Sequence, residues 1–363
     1  MLDRAPAINP AAPVLSVVLP NYNHAQYLPR AIDAYLSQER QADEIIVIDD
    51  CSAYASRDIV AGYAAKHPSI RLVANEKNIG VIPTLSRGLG ESRGHYIYFG
   101  AADDFVMPGF FAVALRMLQA HRQAGLFFGD AILLDGRSGR PLGVRPPVRP
   151  RLSSGFLSPS EVAALFRSND NFVVTGAAVF RRNKVISAGG FDERLSSFAD
   201  GYLVRKIALT CGLCYAPITA LTWCVFPDSV SRKISTRRAR EVLEEIEERL
   251  AADSAFPAWY RDAFRRRWHF ATSRLALQDE PVNRELLLEM GAQSASDSAV
   301  LKCLLHTFGI KKARLLILIW LWQRFRPFSL TGLATTAIAR YLEALFQKGS
   351  KAARPRLDRV HSK

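Results

Sequence analysis

Residues 96–104 read Tyr-Ile-Tyr-Phe-Gly-Ala-Ala-Asp-Asp, a short apolar run that ends in two carboxylates. About 50 residues earlier a second apolar run, Glu44 to Ile48, ends in Asp49 and Asp50. Acids in these positions project from the carboxyl edge of an open α/β sheet, where such folds hold their ligands. A third loop of this kind, Pro20-Asn21-Tyr22-Asn23, comes before both. Three such loops in series predict a nucleotide site.

The first 135 residues alternate between strand and helix periods. The predicted strands are Leu15–Leu19, Glu44–Ile48, Ile70–Ala74 and Tyr96–Phe99, and the predicted helices are Leu28–Gln38, Ser56–His67 with a serine cap, one that opens near Gly80, and Pro108–His121 with proline in its first turn. Strands that alternate with helices of this length form a mostly parallel sheet with helices on both faces. The predicted class is therefore α/β and Rossmann-like.

The second half of the chain is less regular. It is predicted to contain a loop or lobe boundary at Gly136–Pro150, a strand at Phe172–Phe180, a helix at Tyr202–Thr210, a strand at Tyr215–Phe226, and charged helices from Arg237 to about Leu288. Dense charge on such helices is typical of a solvated face rather than of a binding site.

Composition sets broad limits on the protein. The chain has 363 residues, of which 49% are hydrophobic, so it can bury a large core and two lobes are expected. Segment 1–13 contains no apolar run, and we expect it to be flexible and not a secretory signal. Five cysteines, odd in number and unevenly spread, favour a reducing compartment, which predicts a cytoplasmic location.

Positive charge is concentrated at the carboxyl end. Residues 1–230 carry 23 basic and 20 acidic side chains, residues 231–301 carry 12 of each, and residues 302–363 carry 13 basic against 2 acidic. A local net charge of +11 predicts an anionic partner for this tail. The tail contains no recognisable nucleic-acid module, and we expect no nucleic-acid partner.

The tail also carries apolar segments. Leu315 to Trp322 is a run of eight apolar residues, far short of the roughly 20 needed to span a bilayer, and it is flanked by basic residues. A second amphipathic pattern follows at Leu330, Leu333, Ala337, Tyr341 and Leu345. Two interpretations stay open: both segments pack on the catalytic domain, or they attach the protein to the anionic inner face of the cytoplasmic membrane.

Taken together, the motifs have a recognisable order. They are LSVVLPNYN (15–23), EIIVIDDCS (44–52), NIG (78–80), GHYIYFGAADD (94–104), Arg181-Arg182 and GGFDE (189–193). In this order and spacing the chain resembles family 2 glycosyltransferases, whose catalytic domain has the GT-A fold. The resemblance covers about Leu15 to Ser231. It implies a GT-A domain at 14–231, with a nucleotide-binding half at 14–135 and an acceptor half at 136–231, followed by a charged helical region at 232–301 and the basic amphipathic tail at 302–363.

The resemblance implies a set of donor-binding residues. They are Pro20, Tyr22, Asp50, Asn78, Gly80, Ala102 and Asp103. Pro20 and Tyr22 could form a flat slot for a base, and Asp50 could accept its hydrogens. Asp103 matches the second acid of the family's DXD element, which implies that it binds Mg²⁺ or Mn²⁺ bridging the diphosphate of a nucleotide-sugar donor.

Asp200 is the expected general base. Family members carry Glu-Asp about eight residues after GGFDE, and here the pair is Ala199-Asp200. A carboxylate there could take the proton from an acceptor hydroxyl, of a glycan or a lipid-linked saccharide, as its oxygen attacks the anomeric carbon. The family's activity implies inversion. Purely structural roles are the alternatives: Asp200 would only complement the positive end of a helix dipole, and Asp50 would be a turn or cap residue.

Departures from the family pattern leave two functions open. The first acid of DXD is replaced by Ala101, and the family's late Tyr-Arg-x-His segment reads Trp-Cys-Val-Phe and ends at Phe226. The expected function is inverting transfer from a nucleoside diphosphate sugar, with a UDP-sugar as the expected donor, in the synthesis of cell-surface polysaccharide or lipopolysaccharide. The alternative is a catalytically silent nucleotide-sugar binder or scaffold. Acids at Asp50, Asp103 and Asp200 together favour the enzyme.

Overall fold

The computed structural model describes residues 14–226 and 238–352. The predicted flexible segment 1–13 lies outside the described residues, as do the predicted boundary at residue 231 and the end of the tail from residue 353.

The described residues form one ten-stranded sheet. Its strands are β1 (Leu15–Asn21), β2 (Glu44–Asp49), β3 (Ile70–Ala74), β4 (Tyr96–Phe99), β5 (Phe105–Val106), β6 (Leu126–Asp135), β7 (Pro141–Arg145), β8 (Gly155–Leu157), β9 (Ala178–Arg181) and β10 (Leu213–Val225). The strand order is β3-β2-β1-β4-β9-β6-β10-β5, with β7 added beside β6 and β8 beside β10. Strands β1 to β4, β6 and β10 share one direction, and β9 runs against its neighbours. The expected α/β sheet is confirmed.

Helices cover both faces of the sheet. They are α1 (Leu28–Leu36), α2 (Tyr54–Lys66), α3 (Val81–Glu91), α4 (Phe110–Ala120), α5 (Pro159–Phe166), α6 (Arg182–Ser187), α7 (Ala199–Cys211), α8 (Ala239–Ala252), α9 (Tyr260–Gln278), α10 (Arg284–Gly291), α11 (Ala295–Thr307), α12 (Ile310–Phe325) and α13 (Leu330–Ala352). Strand side chains alternate between the two layers, so that Val17 packs in one cluster with α1, α2 and α4 and Val18 in the other with α3 and α7. The second cluster continues into α8 to α12.

Several predicted boundaries were wrong. Helix α2 begins at Tyr54 after Ala53, without a side-chain cap, so Ser56 lies inside it. Helix α4 begins at Phe110, because Gly109 in a left-handed conformation separates it from Pro108. The predicted strand Phe172–Phe180 is shortened to β9, and residues 175–177 form a 3-10 turn.

Two further expectations about the second half need correction. The predicted loop Gly136–Pro150 contains β7, which turns back to pair antiparallel with β6. The strand was not predicted because it contains a glycine at 143 and has prolines at both ends, and these residues are typical of loops. The predicted helix Tyr202–Thr210 begins earlier, at Ala199, which places Asp200 inside its first turn.

Helix α13 docks on the sheet through its polar side. Asp130 of β6 is 3% exposed and accepts hydrogen bonds from Arg149 at 2.7 and 2.9 Å, from Arg340 at 3.1 Å and from the hydroxyl of Tyr215 at 2.7 Å. The other side of Arg149 binds Glu343 at 2.7 Å. Residues of the basic tail therefore complete an ion cluster on the central sheet.

The last two helices bury some of their apolar side chains and expose others. Helix α12 buries Ala313, Ile317, Leu321 and Phe325, whereas Leu315 and Ile319 on its other side are exposed. Helix α13 exposes Leu330, Ala337, Tyr341 and Leu345 of the predicted apolar pattern, and Leu333 is half-buried. Along the described ranges, no helix has both the length and the apolar content needed to cross a bilayer.

Candidate active site

The carboxyl edge of β1 and β2 is held together by a buried polar cluster. The Asn21 amide donates to Asp49 at 2.8 Å and to the Ser52 hydroxyl at 3.0 Å, and the Arg57 guanidinium donates to Asp49 at 2.9 Å. Burial alone would raise the pKa of Asp49, but hydrogen bonds from Ser52, Arg57 and Asn21 outweigh it and hold that pKa below its ordinary value. Asp49 is therefore the structural member of the Asp49-Asp50 pair.

Asp50 binds the loop that precedes α3. Its carboxylate accepts from the amide of Asn75 at 2.7 Å and from the backbone N–H groups of Ile79 and Gly80 at 2.9 and 2.8 Å. Asn78 also accepts from the Gly80 N–H, at 3.1 Å. Gly80 has a φ angle of +90°, a backbone conformation that residues other than glycine rarely adopt. Three predicted donor-binding residues, Asp50, Asn78 and Gly80, thus form one hydrogen-bonded unit.

The loops after β1 and β2 contain two left-handed residues. Asn23 has φ 57 and Cys51 has φ 62, and neither is glycine. The Asn23 side chain accepts from the N–H of Ala53 at 3.0 Å, and its own N–H donates to Ser52 at 2.9 Å. Non-glycine residues in this region are uncommon, and they persist where surrounding contacts hold them. Beside them, Tyr22 is 47% exposed and Pro20 is half-buried, so the ring of Tyr22 is accessible to a ligand.

Asp103 and Asp104 follow β4 and differ in environment. Asp104 is anchored by the N–H of Cys224, which donates to it at 2.8 Å. Burial, and then the charge of Asp103, raise the pKa of Asp104 well above its ordinary value, and the Cys224 hydrogen bond opposes that rise. Asp103 is partly exposed and has no hydrogen bond or ion pair within the described residues. Ala102 is buried and packs beneath the loop.

The donor set fits a cation only in part. Asp103 offers a hard oxygen ligand of the kind that Mg²⁺ and Mn²⁺ prefer. Among residues 14–226 and 238–352, no group of three His, Cys, Asp or Glu side chains comes together as a metal site. A cation here would therefore need oxygens from the donor diphosphate to complete its coordination. At the expected late histidine position, Phe226 instead packs against the ring of Tyr27, with a centroid distance of 5.7 Å.

Asp200 lies in the first turn of α7. Its carboxylate accepts from the hydroxyl of Thr175 at 2.9 Å and from the N–H of Gly201 at 2.6 Å. Burial raises the pKa of Asp200, whereas these two hydrogen bonds and the charge of Arg205 oppose the rise. The carbonyl of Gly176, next to Thr175, accepts from the hydroxyl of Tyr98 on β4 at 2.7 Å. The turn that holds Asp200 is thus bonded to the strand that leads to Asp103.

Asp192, the first acid of the GGFDE turn, has a structural role. Asp192 accepts from the N–H of Arg194 at 3.2 Å and forms ion pairs with Arg194 at 2.9 Å and with Arg249 at 2.7 Å. Hydrogen bonds from Arg194 and the positive charges of Arg249 and Arg194 hold the pKa of Asp192 below its ordinary value. Asp192 joins α8 to this turn, whereas Glu193 is exposed.

Three residues at this edge were not identified from the sequence. Asn75 ends β3 in the same way as Asp50 ends β2, so the edge rule could have found it. Cys224 acts through its backbone, which no side-chain pattern reveals. Thr175 lies in an irregular turn, and its contact with Asp200 depends on tertiary packing.

Comparison with known proteins identifies the family of this chain. The profile of Glycosyl transferase family 2 matches residues 16–185. The succinoglycan biosynthesis protein ExoO of Rhizobium meliloti is 33% identical over 258 residues, which are 69% of this chain and 70% of ExoO.

Solved structures share the fold at low sequence identity. S. aureus TarS 1-349 in complex with UDP-GlcNAc superposes with a TM-score of 0.59 at 16% identity, over 86% of this chain and 91% of that chain. The mannosyltransferase PcManGT from Pyrobaculum calidifontis, in complex with GDP-Man and Mn²⁺, gives a TM-score of 0.56 at 19% identity, over 94% of this chain and 88% of that chain. The chain belongs to glycosyl transferase family 2 and is a glycosyltransferase with a GT-A fold.

Proposed function

We propose that this glycosyltransferase moves a sugar from a nucleoside diphosphate donor, a UDP-sugar, to a hydroxyl of a glycan or lipid-linked saccharide, with inversion at the anomeric carbon. The pathway we propose is the synthesis of a cell-surface polysaccharide or lipopolysaccharide. Similarity to a succinoglycan biosynthesis protein supports the polysaccharide assignment. A fold shared with TarS in complex with UDP-GlcNAc is consistent with a UDP-sugar.

The donor would lie across the carboxyl edge of β1, β2 and β4. Exposed Tyr22 would contact the base, and the unit of Asp50 and the Gly80 loop would fix the position of the ribose and base. Asp103 would hold Mg²⁺ or Mn²⁺ together with the donor phosphates, and such a cation supplies charge neutralisation for the leaving diphosphate. The unpaired state of Asp103 within the described residues supports this role.

The environment of Asp200 is the observation that carries the catalytic proposal. Burial raises the pKa of Asp200 toward neutral pH. A general base accepts a proton most effectively when its pKa lies near the pH at which the enzyme works. Its bond to Thr175 restrains its orientation, and the adjoining Gly176 is bonded to β4. In this position Asp200 would accept the proton of the acceptor hydroxyl while that oxygen attacks the sugar. A silent scaffold, suggested by Ala101 and Phe226, would have no use for this group.

We also propose that the protein acts at the inner face of the cytoplasmic membrane as a peripheral protein. Helix α13 turns Arg340 and Glu343 inward to the Asp130 cluster and leaves Ile338 and Tyr341 exposed, at 59% and 65%. A helix with its polar side buried and its apolar side in solvent is the reverse of an ordinary surface helix. The basic excess of the tail suits an anionic leaflet.

Two substitutions test the enzymatic proposal after a thermal-shift screen has identified a nucleotide sugar that binds. Asp200→Asn keeps the size of the side chain but removes its basicity, so turnover should fall by about 10² or more while donor affinity is retained. Asp103→Ala should abolish turnover and weaken donor binding in Mn²⁺. Asp58→Asn, a change at an exposed acid of α2, is the matched control. Full turnover in Asp103→Ala would exclude the metal assignment, and a mild effect of Asp200→Asn would transfer the base role to exposed Glu193.

A further inference from the structure

A cavity of about 850 Å³ lies between the end of α5, helix α9 and the connection from α12 to α13. Its walls include three arginines, Arg167, Arg266 and Arg326, and two aromatic residues, Trp322 and Phe328. None of these residues belongs to the donor site. The lining combines positive charge with apolar rings, which is the chemistry of a pocket for an anionic, partly apolar ligand.

The cavity arginines lack the partners that their neighbours have. On α9, Arg265 binds Glu247 at 2.8 Å and Arg267 binds buried Asp170, but Arg266 between them has no hydrogen bond or ion pair within the described residues. On α12, Arg324 pairs with Asp297 at 3.3 Å, whereas the side chain of Arg326 has no such partner in the same ranges. Both of these unpaired guanidinium groups line the cavity.

An aromatic ring, and not a carboxylate, holds the side chain of Arg167 in place, so its positive charge is not neutralised. Its guanidinium carbon lies 4.3 Å from the ring centroid of Trp259, a cation–π contact. A guanidinium stacked in this way keeps its N–H groups available for an anion. Guanidinium groups match phosphate oxygens in a bidentate geometry, so a group of three favours a phosphate or diphosphate over a single carboxylate.

An exposed apolar surface of α12 lies next to the cavity. Leu315, Ile319 and Trp322 follow one another at positions i, i+4 and i+7, so they share one side of α12, and Arg326 follows as the left-handed C-cap of the helix. Leu315 is 60% exposed and Ile319 is 47% exposed, on the side opposite to buried Ile317. The indole N–H of Trp322 is buried without a hydrogen-bond partner in the described residues. The same helix face thus leads from exposed leucine and isoleucine to Trp322, and the unpaired Arg326 lies at the end of the helix.

We propose that this cavity binds the phosphate or diphosphate of a lipid, whose apolar chain lies along Leu315 and Ile319. Arg167, Arg266 and Arg326 contact the phosphate oxygens, and Trp322 and Phe328 contact the first carbons of the chain. The role of this lipid as the carrier of an acceptor saccharide rests on the proposed function, but binding of the lipid phosphate does not depend on it. Asp170 joins α9, which carries Arg266, to α7, because it binds both Arg267 of α9 and Arg205 of α7, the latter at 3.2 Å.

Calorimetric titration of the full-length protein with farnesyl diphosphate tests this inference. A chelator is present throughout, so that a metal-dependent donor site does not capture the diphosphate. Farnesyl diphosphate should bind wild-type protein, inorganic pyrophosphate should bind more weakly because it lacks the apolar chain, and farnesol should not bind. Arg266→Gln/Arg326→Gln removes two charge-assisted contacts and should weaken farnesyl diphosphate binding about 10-fold or more. Arg122→Gln/Arg261→Gln, at two exposed positions away from the cavity, should bind as wild type.

Each alternative result has a definite meaning. Equal affinity of farnesyl diphosphate for wild type and the Arg266/Arg326 variant would overturn the site. Equal affinity of pyrophosphate and farnesyl diphosphate for wild type would overturn the lipid and leave a free phosphate as the ligand. Asp103→Ala should still bind farnesyl diphosphate in chelator while losing sugar transfer, so that failure of the cavity and failure of the proposed transferase are observed in different variants.

Discussion

The hydroxyl of Thr175 donates a 2.9 Å hydrogen bond to the carboxylate of Asp200. This bond joins the first turn of α7 to the turn before β9, and Gly176 in that turn is bonded in its own right to Tyr98 of β4. A hydrogen bond to the charged form lowers a carboxylate pKa, so Thr175 opposes the rise that burial causes at Asp200. The proton affinity of the proposed base is therefore adjusted by a residue that need not contact the substrate.

Thr175→Val should move the pH profile of turnover. Valine is close to threonine in shape but donates no hydrogen bond, so the pKa of Asp200 should rise further. Asp200 acts when deprotonated, and activity is lost as the pH falls through its pKa. The acid limb of kcat should therefore shift to higher pH. Thr210→Val on the same helix, where the hydroxyl bonds to the carbonyls of Lys206 and Ile207 and to the Cys211 thiol but not to Asp200, is the control and should leave the limb in place. An unshifted limb in Thr175→Val would separate that limb from Asp200.

Asp50→Ala should loosen the loop before α3. Removing the carboxylate leaves the Ile79 N–H without its acceptor and the Gly80 N–H with only the side chain of Asn78, at an expected cost of about 1–3 kcal/mol in the free energy of unfolding. Chemical denaturation measures this cost, and hydrogen exchange should show faster exchange at both amides. The donor dissociation constant should rise with it. Asp58→Ala, at an exposed acid, should change stability by less than about 0.5 kcal/mol. Slow exchange at residues 79 and 80 in Asp50→Ala would contradict this role.

The sequence predicted the positions of the acids at the sheet edge better than the packing around them. Asp50 and Asp103 were found because each follows an apolar run, and that position in a parallel sheet dictates their placement. Thr175 could not be found this way, since its partner is 25 residues away and meets it only in the folded chain. Arg340 and Glu343 were counted as part of a basic tail. Their inward orientation depends on Asp130, a strand residue that is 210 positions from Arg340.

Arg149→Met should strongly destabilise the fold. The side chains of Arg149 and Asp130 are 3% and 4% exposed, so removing the arginine leaves a buried carboxylate with only Arg340 and Tyr215 as partners. Breaking a buried pair in this way typically costs about 3–5 kcal/mol. Arg140→Met, at an exposed arginine of the hairpin between β6 and β7, should cost less than about 0.5 kcal/mol. Thermal and denaturant unfolding of both variants compare the two. Equal stabilities would mean that α13 does not depend on this cluster.

Flotation with vesicles tests membrane attachment through α13. Full-length protein should float with vesicles that contain phosphatidylglycerol and should not float with neutral phosphatidylcholine vesicles, because basic residues near an anionic surface contribute about 1 kcal/mol each. Raising the salt concentration should release it. Ile338→Gln/Leu342→Gln/Leu345→Gln removes exposed apolar side chains without touching the Asp130 cluster, and should weaken vesicle binding on the order of 10-fold. Leu142→Gln/Val144→Gln/Leu152→Gln changes three exposed apolar residues elsewhere and should float as wild type. Recovery of wild-type protein in the soluble fraction with both kinds of vesicle would exclude the membrane proposal, and equal flotation of the two triple variants would place the contact on another surface.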